Sequence, residues 1–164
     1  MRKGSRQAKS IVRTIFSTPV TEPAPVKPAT VSTTQLRGSL QLRHVDAGSC
    51  NGCELEIASA FAPVYDAAQF GIRLVASPRH ADGLLVTGVV TQNMLDPLVR
   101  ALDATPQPRV VAACGDCAVN GGLFAEAYGV ARPLDAIIEP DVRITGCPPH
   151  PDAIILALRT LSDR

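Results

Sequence analysis

The amino-acid sequence predicts an α/β domain, a mostly parallel sheet covered by helices on both faces. Three observations carry that expectation. Short runs of consecutive apolar residues recur, of which residues 83–88 (GLLVTG) are the clearest, and strands buried on both faces read this way rather than alternating. Segments with helical spacing stand between those runs. The chain has 164 residues, 46 % of them hydrophobic, and no Trp, so it can build one largely aliphatic core and little more.

Taken in order, residues 1–17 are basic and free of acids. Ile11, Val12, Ile15 and Phe16 are spaced to share one side of a helix lying on a membrane surface. The same Arg- and Ser-containing start also suits an organelle transit peptide. Residues 18–38 are rich in Pro and Thr. Pro19, Pro23, Pro25 and Pro28 forbid a regular helix there and predict an extended linker. The folded domain is expected over residues 39–164. It opens with a strand over 40–45, then a loop holding Cys50 and Cys53, then a helix over 54–61. A strand over 72–76 and a turn over 78–81 lead into the strand at 83–88. Met94, Leu95, Leu98 and Leu102 mark a helix over 92–103. A strand over 109–113, a helix over 123–128 and a strand over 141–145 follow. A last helix over 151–161 has Pro151 in its first turn, where a missing N–H costs nothing.

The net charge of +1 argues against a nucleic-acid binder working by bulk electrostatics. The charge is uneven. Residues 1–43 hold eight Lys or Arg against the single acid Glu22, leaving eight basic and fourteen acidic groups for the rest. A basic head suits an anionic membrane surface or an acidic partner, or is simply a solvated tail. No run of 18 apolar residues occurs, so no membrane-spanning helix is expected.

Five cysteines, an odd number, fit a disulfide framework badly and read as metal ligands. Cys50, Cys117 and Cys147 each fall just past the end of an expected strand. In parallel sheets, ligands bind outside the carboxyl ends of the strands, so three separated segments are expected to bring thiols to one edge. Cys50 and Cys53 supply two ligands, and Cys147, in a Gly/Pro-shaped loop, a third. Cys114 or Cys117 supplies the fourth. Cys114 ends an apolar run and is expected to face the core, whereas Cys117 stands before the freely turning Asn120-Gly121-Gly122, so Cys117 is preferred. A zinc site built from Cys50/Cys53 and Cys114/Cys117 would satisfy the spacing of paired CxxC knuckles but leave Cys147 idle. An iron–sulfur centre uses Cys147.

Four segments occur in a telling order: 46–57 (DAGSCNGCELEI), 77–82 (SPRHAD), 115–124 (GDCAVNGGLF) and 146–149 (GCPP). Together they resemble the small, cluster-bearing subunit shared by energy-converting [NiFe] hydrogenases, formate hydrogenlyases and respiratory NADH:quinone oxidoreductase, its 20 kDa or B subunit. The resemblance covers about residues 40–160. Cys-Asn-Gly-Cys resembles the hydrogenase and formate hydrogenlyase branch; the NADH:quinone branch usually has two adjacent cysteines. The resemblance implies a flavodoxin-like fold and one [4Fe-4S] cluster held by Cys50, Cys53, Cys117 and Cys147, with Cys114 a core thiol. It also implies electron relay inside an oxidoreductase complex, with no complete active site in this chain alone. The implied partners are a large [NiFe] or quinone-binding subunit and other iron–sulfur and membrane subunits. The implied place is cytoplasmic, peripheral on the inner face of the cell membrane. The competing readings are a binding module stabilised by zinc on four cysteines and a stand-alone iron–sulfur carrier. The chain has no GxGxxG opening a helix, so no nicotinamide site of its own is expected.

Around the cysteines, backbone N–H groups of Gly48, Ser49, Gly52 and Gly115 are candidate donors to the sulfurs. Glu54 and Glu56 are candidates for a proton path, although Glu54 also suits a helix N-terminus. Arg79 and His80 are candidates for facing a partner, modulating the cluster's charge or shaping a turn, and Asp116 for capping its loop.

Overall fold

The computed structural model describes residues 38–162. The basic segment expected over 1–17 and the linker over 18–38, except Gly38, lie outside the described residues. Five strands pair in parallel: β1 (Leu40–Asp46), β2 (Ile72–Leu74), β3 (Gly83–Thr87), β4 (Val110–Cys114) and β5 (Val142–Ile144). Their spatial order is β2-β1-β3-β4-β5, the flavodoxin-like order expected from the resemblance.

Among the described residues, four α-helices cover the two faces. On one face, α1 (Gly52–Ala60) and α4 (Pro151–Ser162) bury Ile57, Ile154, Leu158 and Leu161 against Leu40, Leu42, Leu85 and Ala112. On the other, α2 (Gln92–Ala104) and the short α3 (Asp116–Asn120) bury Leu98 and Ala118 against Leu84, Val86, Val111 and Ala113. Leu84, Leu85 and Val86 thus point to alternating faces and are all fully buried, which explains why β3 reads as an unbroken apolar run.

Register is set by side chains at the amino edge of the sheet. The backbone N–H of Asp82 donates to Gln41 O (2.7 Å) while its carboxylate accepts from Gln41 N (2.7 Å). Asp141 repeats the device beside β4, donating to Val111 O (2.8 Å) and accepting from Val111 N (2.7 Å). Each carboxylate prolongs a strand ladder by one bond.

Most expected elements differ from the observed ones by one or two residues, but the helix expected over 123–128 does not form. The helix here is α3, seven residues earlier. Gly115 (φ 88°) turns the chain out of β4 and Gly121 (φ 89°) ends α3 in the left-handed conformation. A single 3-10 turn, Gly122–Phe124, follows. Leu123, Phe124 and Tyr128 in that stretch are exposed.

Candidate metal centre

The register places four strand ends in one row: Asp46 pairs with Thr87, Thr87 with Cys114, and Cys114 with Ile144. Cys50, Cys117 and Cys147 stand a few residues beyond this row, so their loops leave the sheet at the same edge.

The first loop is fixed by Asp46. Its Oδ1 accepts from Gly48 N (2.8 Å) and Ser49 N (2.7 Å). Burial pushes the Asp46 carboxyl up, but these backbone donors outweigh it and hold the group below the usual carboxylate range. Asn51 then takes a left-handed conformation (φ 70°) and α1 begins at Gly52. Cys53 therefore sits in the first turn and is buried, while Cys50 stays exposed on the loop. Gly52 packs between Cys50 and the last loop. A Cβ placed on it would lie 3.6 Å from Cys50 Sγ and 3.9 Å from Pro148.

The second loop passes under Cys53. A Cβ on Gly115 would overlap Cys53 Sγ and lie 3.6 Å from Gly146 O, so only glycine lets the backbone come this close. Cys117, buried, lies in the first turn of α3. Two hydrogen bonds join this turn to the third loop: Asp116 N donates to Gly146 O (2.9 Å) and Gly146 N to Asp116 Oδ1 (2.7 Å). Cys147 follows Gly146 and is exposed.

Cys50, Cys117 and Cys147 lie close enough to Cys53, and Cys50 and Cys147 to Cys117, to act on these thiols electrostatically. Burial, then Glu54, then the other three of these cysteines push the Cys53 thiol up to about 11. Burial, then Cys147 and Cys50, then Asp116 raise Cys117. Cys114 stands apart. It is fully buried among core residues, its thiol is pushed up to about 12 by burial first, and Cys53 is the one cysteine acting on it.

Three of the four expected backbone donors are already engaged. Gly48 N and Ser49 N donate to Asp46, and Gly115 N to Ile144 O (2.8 Å). Their N–H groups hold the loops rather than the sulfurs. Gly52 N remains at the open first turn of α1.

Glu54 turns inward. Its Oε1 accepts from the Thr87 hydroxyl, and His44 Nε2 lies 2.9 Å from Thr87 Oγ1 and 3.5 Å from Glu54 Oε1. Glu54 Oε2 is buried without a hydrogen-bond partner among the described residues. Burial lowers the His44 pKa, and Glu54 and Asp46 offset only part of that. Glu56 is half-buried and outside this network. Arg79 and His80 are exposed in the 3-10 turn Pro78–His80, which precedes β3 and so lies at the sheet edge opposite the cysteines. The residues that sequence reasoning missed are Thr87 and His44. The available signal was a polar side chain closing an all-apolar run and a histidine inside a strand.

The donor set fits an iron–sulfur centre: four thiols on three loops, with glycines where the backbone must come close. Among the described residues, no three His, Cys, Asp or Glu side chains are gathered as ligands of a single ion. A zinc ion would need its thiolates at about 2.3 Å from one point. A cubane takes one thiolate at each of four irons and so accepts more widely spaced sulfurs.

Comparison with known proteins identifies the family. Residues 50–161 match the family described as NADH ubiquinone oxidoreductase, 20 Kd subunit. The chain is 50% identical over 123 residues to a probable membrane-bound hydrogenase subunit of Pyrococcus furiosus, covering 73% of this chain and 74% of that one. It is 45% identical over 121 residues to formate hydrogenlyase subunit 7 of Escherichia coli, covering 74% of this chain and 48% of that one. It thus spans about half the length of the Escherichia coli subunit. Among solved structures it resembles a chain of the membrane-bound sulfane sulfur reductase, an archaeal respiratory membrane complex. The TM-score is 0.68 at 34% identity, over 79% of this chain and 71% of that one.

Proposed function

The chain belongs to the NADH ubiquinone oxidoreductase 20 kDa subunit family, and from that premise we propose that it is an electron-transfer subunit holding one [4Fe-4S] cluster on Cys50, Cys53, Cys117 and Cys147. The observation that carries this reading is geometric: the loops bearing Cys50, Cys53, Cys117 and Cys147 leave the sheet at one edge and pack on one another through Gly52, Gly115 and the Asp116–Gly146 pair, whereas Cys114 is buried in the core. A bound cluster supplies reversible one-electron transfer. The chain's own part is to hold the thiols at one sheet edge, to keep water from Cys53 and Cys117 by burial, and to fix the first loop through Asp46.

The complex is a membrane-associated, multisubunit oxidoreductase of hydrogenase or NADH–quinone type, the kind named for its relatives. A large [NiFe] or quinone-binding subunit sits against the cysteine edge. An apolar surface next to Cys50 supports this: Phe124, Tyr128 and Val130 line, with Gly48 and Cys50, a cavity of about 310 Å³, and Leu123 and Tyr128 are almost wholly exposed. Such a surface favours a subunit over a stand-alone carrier. The relatives' membrane-bound complexes support a peripheral place for this chain, on the cytoplasmic face and attached through other subunits; among the described residues no helix is long and apolar enough to cross a membrane.

Glu54 is the better candidate of the two glutamates for carrying a proton, because Thr87 links it to His44. In the assembled complex, Glu54→Gln should lower turnover while iron content stays unchanged; loss of iron instead would make Glu54 a structural residue.

The direct test is anaerobic purification of the full chain. It should be brown and contain about four iron and four sulfide per chain. Colourless protein with one zinc per chain would replace this reading with the zinc-stabilised module.

A further inference from the structure

Asp116 does more than favour the start of a helix. A first-turn acid is stabilised by the helix dipole alone and needs no distant contact. Here the residue makes a two-way bond with Gly146, 30 positions away: its N–H donates to Gly146 O (2.9 Å) and its Oδ1 accepts from Gly146 N (2.7 Å). This pair adds to the Gly115 N to Ile144 O bond (2.8 Å) that joins the same two segments at the strand ends. The α3 helix has only five residues, β5 only three, and Gly146 (φ 136°) lies in a turn so tight that a Cβ there would meet the Pro149 backbone. Cys117 and Cys147 flank the paired residues directly. The carboxylate also adds a negative charge close to Cys117.

We infer that Asp116 is a positioning residue: its carboxylate clasps the Cys147 loop to the Cys117 turn, and its negative charge disfavours the reduced cluster held between them. The inference rests on the cluster reading above. A negative charge beside an electron-accepting centre favours the state with fewer electrons. The clasp needs an acceptor oxygen at residue 116, which asparagine retains and alanine lacks.

Two variants of the full chain separate the two roles. In Asp116→Ala, hydrogen exchange at the Gly146 amide should speed up at least tenfold, and iron should be lost faster on dilution. In Asp116→Asn, Gly146 protection and iron content should stay close to the parent. Its one-electron reduction equilibrium should shift about tenfold toward the reduced state, equivalent to about 59 mV. Unchanged Gly146 exchange in the alanine variant, or an unchanged potential in the asparagine variant, overturns the inference while the cluster reading stands. A parent chain that takes up no iron and sulfide overturns both.

Discussion

Single residues at the cysteine edge have assignable jobs. Gly115 is irreplaceable because its φ of 88° is closed to most side chains and because Cys53 Sγ occupies the space a Cβ would need. Gly115→Ala should therefore displace Cys53, with a stability cost of about 1–3 kcal/mol and a marked drop in bound iron. Normal iron content in that variant would show that Cys53 can move away freely. Cys114 makes a different expectation. Burial holds its thiol up to about 12 in the folded chain, against an ordinary value of 9.0. The folded state keeps a proton that the unfolded state releases, so this group's contribution is intact below about pH 9 and is lost as pH rises from there toward 12. Between pH 7 and 10 the cluster-free chain should lose about 1.4 kcal/mol that Cys114→Ala does not lose. Denaturant unfolding of both at the two pH values measures the difference, and equal losses would place Cys114 in contact with water. That Cys114 faces the core was legible in the sequence, from its place at the end of an apolar run. The clasp by Asp116 was not, because a bond between residues 116 and 146 has no local signature.

Elements were legible in proportion to how far local pattern decides them. β3 and β4 are runs buried on both faces, and such runs announce themselves, whereas β1 buries only Leu40, Leu42 and Val45. α4 shows both a start signal, Pro151, and a buried stripe of Ile154, Leu158 and Leu161. α3 escaped notice because five residues span little more than one turn, too few to display a period. The stretch 123–128, where a helix was expected, is surface instead: Leu123, Phe124 and Tyr128 are exposed. The importance of α4 can be measured. Leu158 is fully buried against the sheet face that also holds Cys114. Leu158→Ala should cost about 2–5 kcal/mol without changing which cysteines bind iron. A loss under about 1 kcal/mol would mean that the helix packs loosely.

At the scale of the whole molecule, parallel topology converts three distant sequence segments into one site. Aligned strand ends at Asp46, Thr87, Cys114 and Ile144 make the cysteine loops neighbours whatever their separation along the chain. The same edge carries the exposed Phe124 and Tyr128 beside Cys50, so thiols and the expected docking surface coincide. Leu123→Asp combined with Tyr128→Asp should leave the isolated chain's stability within about 0.5 kcal/mol yet abolish co-purification with a large subunit; undiminished co-purification would move the interface elsewhere. The most direct test of the central claim is the iron content of five single Cys→Ser variants prepared anaerobically. Cys114→Ser should keep about four iron per chain, as the parent does, whereas substitution at Cys50, Cys53, Cys117 or Cys147 should lose the four-iron centre. Iron retained in full by Cys117→Ser and lost by Cys114→Ser would contradict the proposed ligand set.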